Sequence, residues 1–300
     1  NLIKGENPNH NLGYVTRNAM LKGVRRRFSC AIPLSHIFGF CRNVRKVIYG
    51  AKHTVVLQRR SDDNRAIWRV PGNNADPGAD DAKVNLNKLI LWMSVLTPSL
   101  AVNQRLLSWM ETGASSLISW LSTTTDTLSS NQTEFTWNLP GKRGISAPRH
   151  IFIALQNSNR TRGAGQQSRS HMIFDQLGVT QVSLRINGQQ EPAEPITLRF
   201  TDNENNIARI YHQLWSFMGR DQNVDTGLQI SQLDFQTLYP IYYFSLEHLD
   251  LTKESVVDIT FNALVGNPGG EYRAIAVILH DKSMLIEGIG GQMRLVDAPL

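Results

Sequence analysis

The 300-residue sequence predicts an all-β protein built as two tandem sandwiches, with one or two short helices in the connections between strands. Three observations predict it. Apolar and polar residues alternate at a period of two, the spacing of a strand with one buried face. Short runs rich in β-branched and aromatic residues recur along the whole chain. A break rich in proline, glycine and basic residues, "NLPGKRGISAPRH", falls near the centre, with strand-rich sequence on both sides.

Residues 1–27 read as an N-terminal arm. Within "KGVRRRF", Lys22, Arg25, Arg26 and Arg27 place four positive charges in one short run. Such a run is either a solvated flank or a cationic arm reaching toward an anionic polymer, so these four are the candidate nucleic-acid contact.

The first sandwich is expected over 28–140, with strands in "FSCAI", "KVIYG", "HTVVLQRR", "AIWRV" and "LILWMSVL". The stretch from Ile32 to Arg60 reads as its first sheet, with Cys30 and Cys41 in apolar runs as small buried side chains. His36 and His53 read as sheet or interface histidines. A helix is expected where Leu100, Leu107 and Met110 recur before a stop at Gly113. "FTWNLP" puts Phe135, Trp137 and Leu139 on one face and Thr136 and Asn138 on the other.

The second sandwich is expected over 148–300. Its strands lie in "HIFIALQN", "VSLRING", "ITLRF", "IYYFSL", "VVDITFNALV" and "YRAIAVILH". Val182, Leu184 and Ile186 face inward, and Asn187-Gly188 is a strong hairpin signal. Val257, Ile259, Phe261 and Ala263 repeat the alternation. One helix carries Ile207, Ile210, Tyr211, Leu214, Trp215 and Met218 at steps of three and four, ending before Gly219. Loops occupy Pro71 to Asp81 and Asn157 to Ser170. This spacing gives each half room for about eight strands, the number in a jelly roll.

Composition narrows the function. Hydrophobic residues make up 41% of the chain and charged ones 19%, a folded protein whose surface is rich in Asn, Gln, Ser and Thr and suits wide protein contacts. A formal charge of +6 is too modest for the chain as a whole to act as a polyanion binder. Two cysteines make no disulfide framework. No apolar stretch approaches the ~18 residues of a membrane span. The opening "NLIKGENPNH" has no signal-peptide shape and no initiator Met, which fits a processed product or a piece of a longer chain.

Catalytic patterns are weak. Cys30, His36 and Cys41 are an incomplete zinc set. The sequence holds no GxSxG elbow, phosphate-binding GxxxxGK[ST] or HExxH. "EGIGGQM" reads as a turn rather than a phosphate loop. Glu247, Asp250, Glu254 and Asp258 cluster along the chain, but a glycosidase pair is defined by spatial separation, and a solvated connector explains them. Asn131-Gln132-Thr133 and Asn159-Arg160-Thr161 match glycosylation sequons by coincidence. No metal or cofactor is expected.

In order, "IPLSHIFGFCRNVRKVIYGAKHTVVLQRRSDDNRAIWR", "KVNLNKLILWMSVLTPS", "FTWNLP", "PRHIFIALQN", "FDQLGVTQVSLRINGQQEP", "YPIYYFSL", "VVDITFNALV" and "EYRAIAVILHD" resemble the double jelly-roll-like family. That family is related to major capsid proteins of DNA viruses and also occurs as uncharacterised sequences in invertebrate genomes. "LEHLDLTKES" and the arginine-rich loop from Asn157 to Ser170 depart from its pattern. The resemblance implies a non-enzymatic virion protein. Its two jelly rolls would form pseudo-hexameric homotrimers tiling an icosahedral or related shell around the genome. Its expected partners are copies of itself, packaged nucleic acid met by the Lys22–Arg27 run, and other virion proteins. The competing reading is a carbohydrate- or receptor-binding β-sandwich, with Trp68, Trp109 or Trp120 as an aromatic platform, or a virus-derived structural protein co-opted by a host. A glycosidase using the carboxylate cluster is the remaining class.

Overall fold

A computed structural model describes residues 29–46, 48, 54–59, 84–113, 115–140, 147–158, 173–201, 204–219, 230–251, 257–266, 268–289 and 292–297. Before residue 115 the described elements are a 3-10 turn, Leu34–His36, and two helices, α1 (Gly39–Asn43) and α2 (Leu100–Glu111). Eleven strands follow: β1 (Ser115–Ser130), β2 (Glu134–Leu139), β3 (Pro148–Asn157), β4 (Val179–Ile186), β5 (Gln189–Thr197), β6 (Arg199–Thr201), β7 (Glu204–Asn206), β8 (Ile241–Ser245), β9 (Ile259–Val265), β10 (Tyr272–Ile289) and β11 (Gln292–Asp297). Helices α3 (Ala208–Gly219) and α4 (Gln232–Thr237) sit between β7 and β8.

The strands form two main antiparallel sheets. One has the order β1-β10-β3-β8, with β11 added to β10; the other has the order β2-β9-β4-β5. From β1 to β4 the chain crosses between sheets at every step. It stays in the second sheet for the β4-β5 hairpin, then crosses again at β8, β9 and β10. With the β6-β7 hairpin and β11 set aside, these eight strands make a jelly roll.

Alternation explains why these residues form these strands. Phe135, Trp137 and Leu139 of β2 are buried and Thr136 and Asn138 exposed, as expected. In β9, Ile259, Phe261, Ala263 and Val265 point inward. The first sheet contributes Ile151, Ile153, Leu155, Tyr242, Tyr272, Ala274 and Ile278 to the same core. Asn187 (φ 51°) and Gly188 (φ 81°) both take positive φ, the requirement of a type I′ hairpin turn. Asn187 also accepts through Oδ1 from the Asp258 N–H at 2.9 Å, tying the turn to the start of β9.

Both expected helices form. α2 stops at Gly113, whose φ of +71° ends it without a Cβ penalty. α3 buries Ile210 and Leu214, with Ile207 buried just ahead of it, but Trp215 of the expected apolar face is exposed and the helix extends through Gly219. α4 is an additional helix beyond those two. Ser231 caps it by accepting the Asp234 N–H at 3.0 Å.

The first half departs from expectation. "AIWRV", Phe28, His53 and most of "KVIYG" lie outside the described residues. The described part of the stretch from Ile32 is a 3-10 turn and a helix, so His36 sits in a turn rather than a sheet, and Cys30 and Cys41 are exposed free thiols. Residues 54–59 and 84–99 run without helix, turn or bend and without a strand partner among the described residues. Apolar composition gives a strand its tendency but not its neighbour, and a sheet needs both.

The expected division at 140–148 also falls inside the sandwich. β2 before it is hydrogen-bonded to β9, and β3 after it to β10 and β8. The described jelly roll begins at Ser115, because proline and glycine mark connections between the two sheets of one sandwich as readily as boundaries between domains.

Candidate functional site

For a fold of this kind the surfaces around the sheet edges are the first places to look for function. α3 packs against β8 at one edge of the first sheet, where Phe217 completes an aromatic group. Its ring lies 4.9 Å from His150, 4.9 Å from Phe152 and 5.1 Å from Tyr243. Buried His150 shares a 3.0 Å hydrogen bond between Nδ1 and the Tyr243 hydroxyl, and its Nε2 lies 3.6 Å from Glu247.

Between α3, β5 and β8 lies a cleft of about 270 Å³, lined by Glu191, His212, Gln213, Ser216, Phe217 and Tyr243 among others. His248 Nε2 meets Glu191 Oε1 at 3.2 Å on its rim. The cleft holds one serine–histidine pair, Ser216 Oγ and His212 Nδ1 at 3.4 Å. Ser216 hydrogen-bonds at 2.8 Å to the His212 carbonyl of its own helix, so its proton is directed to backbone rather than to a base.

The opposite edge of the first sheet is β1. Near its start it is covered by the segment around α1. The Leu121 N–H donates to Asn43 Oδ1 at 3.3 Å, and Lys46 Nζ donates to the Leu117 carbonyl at 3.0 Å. Gly39 rests directly on the Leu121 carbonyl, leaving no room for a Cβ. Phe40 meets the Trp120 ring edge-on at 5.3 Å, and Lys282 Nζ lies 5.8 Å from the same ring. From Ser122 to Ser130 no described strand pairs with the outer edge of β1.

The residues singled out from sequence are dispersed. Lys22, Arg25, Arg26, Arg27, Trp68 and Glu254 lie outside the described residues. Trp109 and Trp120 are half-buried, and Trp120 is already occupied by Phe40 and Lys282. Glu247 faces His150, whereas Asp258 is exposed beside the Asn187 turn. Among the described residues no group of three or more metal-ligating side chains converges. Of "EGIGGQM", Glu287–Ile289 and Gln292–Met293 belong to β10 and β11, with Ile289 opposite Gln292, and the two glycines between them lie outside the described residues. No described helix is long and apolar enough to cross a membrane.

Buried ionisable groups are structural in character. His280 sits at a register shift in β10, with neither ring nitrogen hydrogen-bonded among the described residues. Burial lowers its pKa from 6.5, opposed by neighbouring Asp281, which is paired with Arg149. Burial raises the Tyr242 and Tyr272 phenols. Sequence could not have flagged His280, because its lowered pKa follows from burial that only the fold creates.

These features define a jelly-roll protein with much of its distinctive surface at sheet edges. The chain belongs to the double jelly roll-like domain family, whose model matches residues 9–284. No curated protein matches it. Among solved structures it is similar to a chain of the Sputnik virophage, at 14% identity and a TM-score of 0.35 over 61% of this chain and 38% of that one. It is also similar to the mavirus major capsid protein, at 8% identity and a TM-score of 0.33 over 60% and 41%. A third is a chain of the PBCV-1 virus capsid, at 10% identity and a TM-score of 0.31 over 65% and 54%. The chain thus spans about half or less of the length of these structures' chains.

Proposed function

We propose that the protein is a capsid-type structural subunit, which associates with copies of itself into trimers and then a closed shell around nucleic acid, with the virion as its location. Family membership carries this reading, together with the eight-stranded jelly roll that the described residues form. The sandwich hides its apolar faces between two sheets, so edges and connecting segments are free to make contacts. Each repeated contact between unlike surfaces closes a ring or extends a lattice. The role asks for no catalytic group.

The Lys22–Arg27 run is proposed to face the enclosed nucleic acid, where its four charges would displace counterions from phosphates without reading sequence. The deciding experiment is light scattering of the purified chain, followed by electron microscopy of the same fraction. Trimers, tubes or shells are expected; a monomer at high concentration across salt and pH would overturn the assembly reading. Deleting residues 22–27 is expected to make nucleic-acid binding less salt-dependent, by about 3 to 4 in the log–log slope. An unchanged slope would remove the arm from the interface.

A further inference from the structure

Two parts of the structure have complementary needs. The first is the outer edge of β1 from Ser122 to Ser130. The Leu121 N–H points outward to Asn43, and by the two-residue period of an antiparallel strand so do the backbone groups of Thr123, Thr125, Thr127 and Ser129. Among the described residues the Thr127 N–H is met locally, by Asp126 Oδ1 at 2.9 Å. This stretch lacks the usual guards of an edge strand: it has no lysine, proline or bulge, and it is rich in β-branched threonine. Asp126 is its one charged residue.

The second part is the run Leu86–Leu96, which has no helix, turn, bend or strand partner among the described residues. Leu86, Leu89, Ile90, Leu91, Trp92 and Met93 are all exposed, Trp92 to 85%. An apolar series of this size left in water marks a surface that another protein covers. Lys88 is its one charged residue.

We infer that Leu86–Trp92 of one copy adds as an antiparallel strand to the β1 edge of a second copy, which no described strand pairs, with Lys88 opposite Asp126. That register pairs Leu86 with Leu128, Ile90 with Thr124 and Trp92 with Ser122. It fills the open edge up to the residue where Asn43 already covers the backbone. Leu128, which packs against the core, gains an apolar cross-strand neighbour. The occupant is a second copy because the same chain supplies both the unpaired run and the edge, each with a single charge of opposite sign. The contact joins unlike surfaces, so every copy both gives and receives a strand. It rests on the self-assembly reading in taking a second copy as partner.

The test is disulfide trapping with both native cysteines replaced (Cys30→Ser, Cys41→Ser). Ile90→Cys and Thr124→Cys face each other in the closer, non-hydrogen-bonded type of pair, where a disulfide fits. They are placed on separately tagged chains, coexpressed and oxidised. A mixed-tag covalent dimer is expected, with its yield falling several-fold for Leu91→Cys in place of Ile90→Cys. Lys88→Glu is expected to lower the yield, and adding Asp126→Lys on the partner to restore it. Absence of the mixed dimer, an internal disulfide when both cysteines share one chain, or equal yields for positions 90 and 91 would overturn the inference. Light scattering of the uncrosslinked protein separates the two readings: oligomers without this cross-link overturn the strand exchange and leave self-assembly standing, and a strict monomer refutes self-assembly as well.

Discussion

Trp137→Ala tests the placement of the β2 face most directly. Trp137 is 5% exposed and stands in a row across the second sheet, opposite Phe261 of β9, which is opposite Leu184 of β4. An aromatic side chain buries roughly 150–250 Å², and at about 25 cal/mol/Å² its removal from the core costs on the order of 4–6 kcal/mol. The alanine methyl retains part of this. Among the described residues β2 is also an edge strand with one neighbour, so it can partly collapse onto the space left behind. The expected loss is therefore about 3–4 kcal/mol, within the ~5–15 kcal/mol of a typical domain. Urea unfolding followed by circular dichroism measures it, with an unchanged m-value confirming that the same transition is observed. Thr136→Ala is the internal control. It is exposed, and its hydroxyl donates to Asn262 Oδ1 at 2.7 Å, so its loss costs about 0.5–1 kcal/mol. A Trp137→Ala variant as stable as the parent, or a costlier Thr136→Ala, would mean that β2 presents its other face to the core.

Three further outcomes follow from individual contacts. Burial lowers the His280 pKa in the fold, while in the unfolded chain the ring takes up a proton near 6.5, so stability falls as pH drops below that value. Urea midpoints at pH 7.5 and 5.5 should show the fall, and His280→Leu should reduce it; equal falls in both proteins would refute the assignment. The Tyr242 hydroxyl is buried without a hydrogen-bond partner among the described residues, so Tyr242→Phe should be neutral or stabilising by up to about 1 kcal/mol. A clear loss in thermal unfolding would reveal a partner. Gly39→Ala should push α1 from the β1 edge and free the Leu121 amide, seen as faster hydrogen exchange at Leu121 with the core amides of β3 unchanged.

The sequence is most legible where one face of a strand is buried and the other wet. β2 and β9 alternate cleanly, and the Asn187-Gly188 turn follows from its residue types. β1 is hard to read because "SSLISWLSTTTDTLSS" is mostly Ser and Thr, and only Ile118 is fully buried. An edge strand needs little apolar alternation when its long neighbour β10 holds it by backbone pairing. "LILWMSVL" shows the opposite case, where apolar composition suggests a strand but the described residues provide no pairing partner. Site reading meets a similar limit. The cleft under α3 draws Glu191, His212 and Tyr243 from three separate elements, and no spacing along the chain relates them.

The pairing of β1 with β10 also sets an order of events at the ribosome. Ser115 pairs with Glu287, so β1 is synthesised about 170 residues before the end of the strand that secures it. At ordinary synthesis rates of about 5–20 residues per second, that interval is roughly ten to thirty seconds. During it a threonine-rich strand lacks the neighbour that pairs it along its whole length. Neighbouring nascent chains on one message could meet in that state, so the spacing of ribosomes would influence how many chains reach the sandwich before they reach each other.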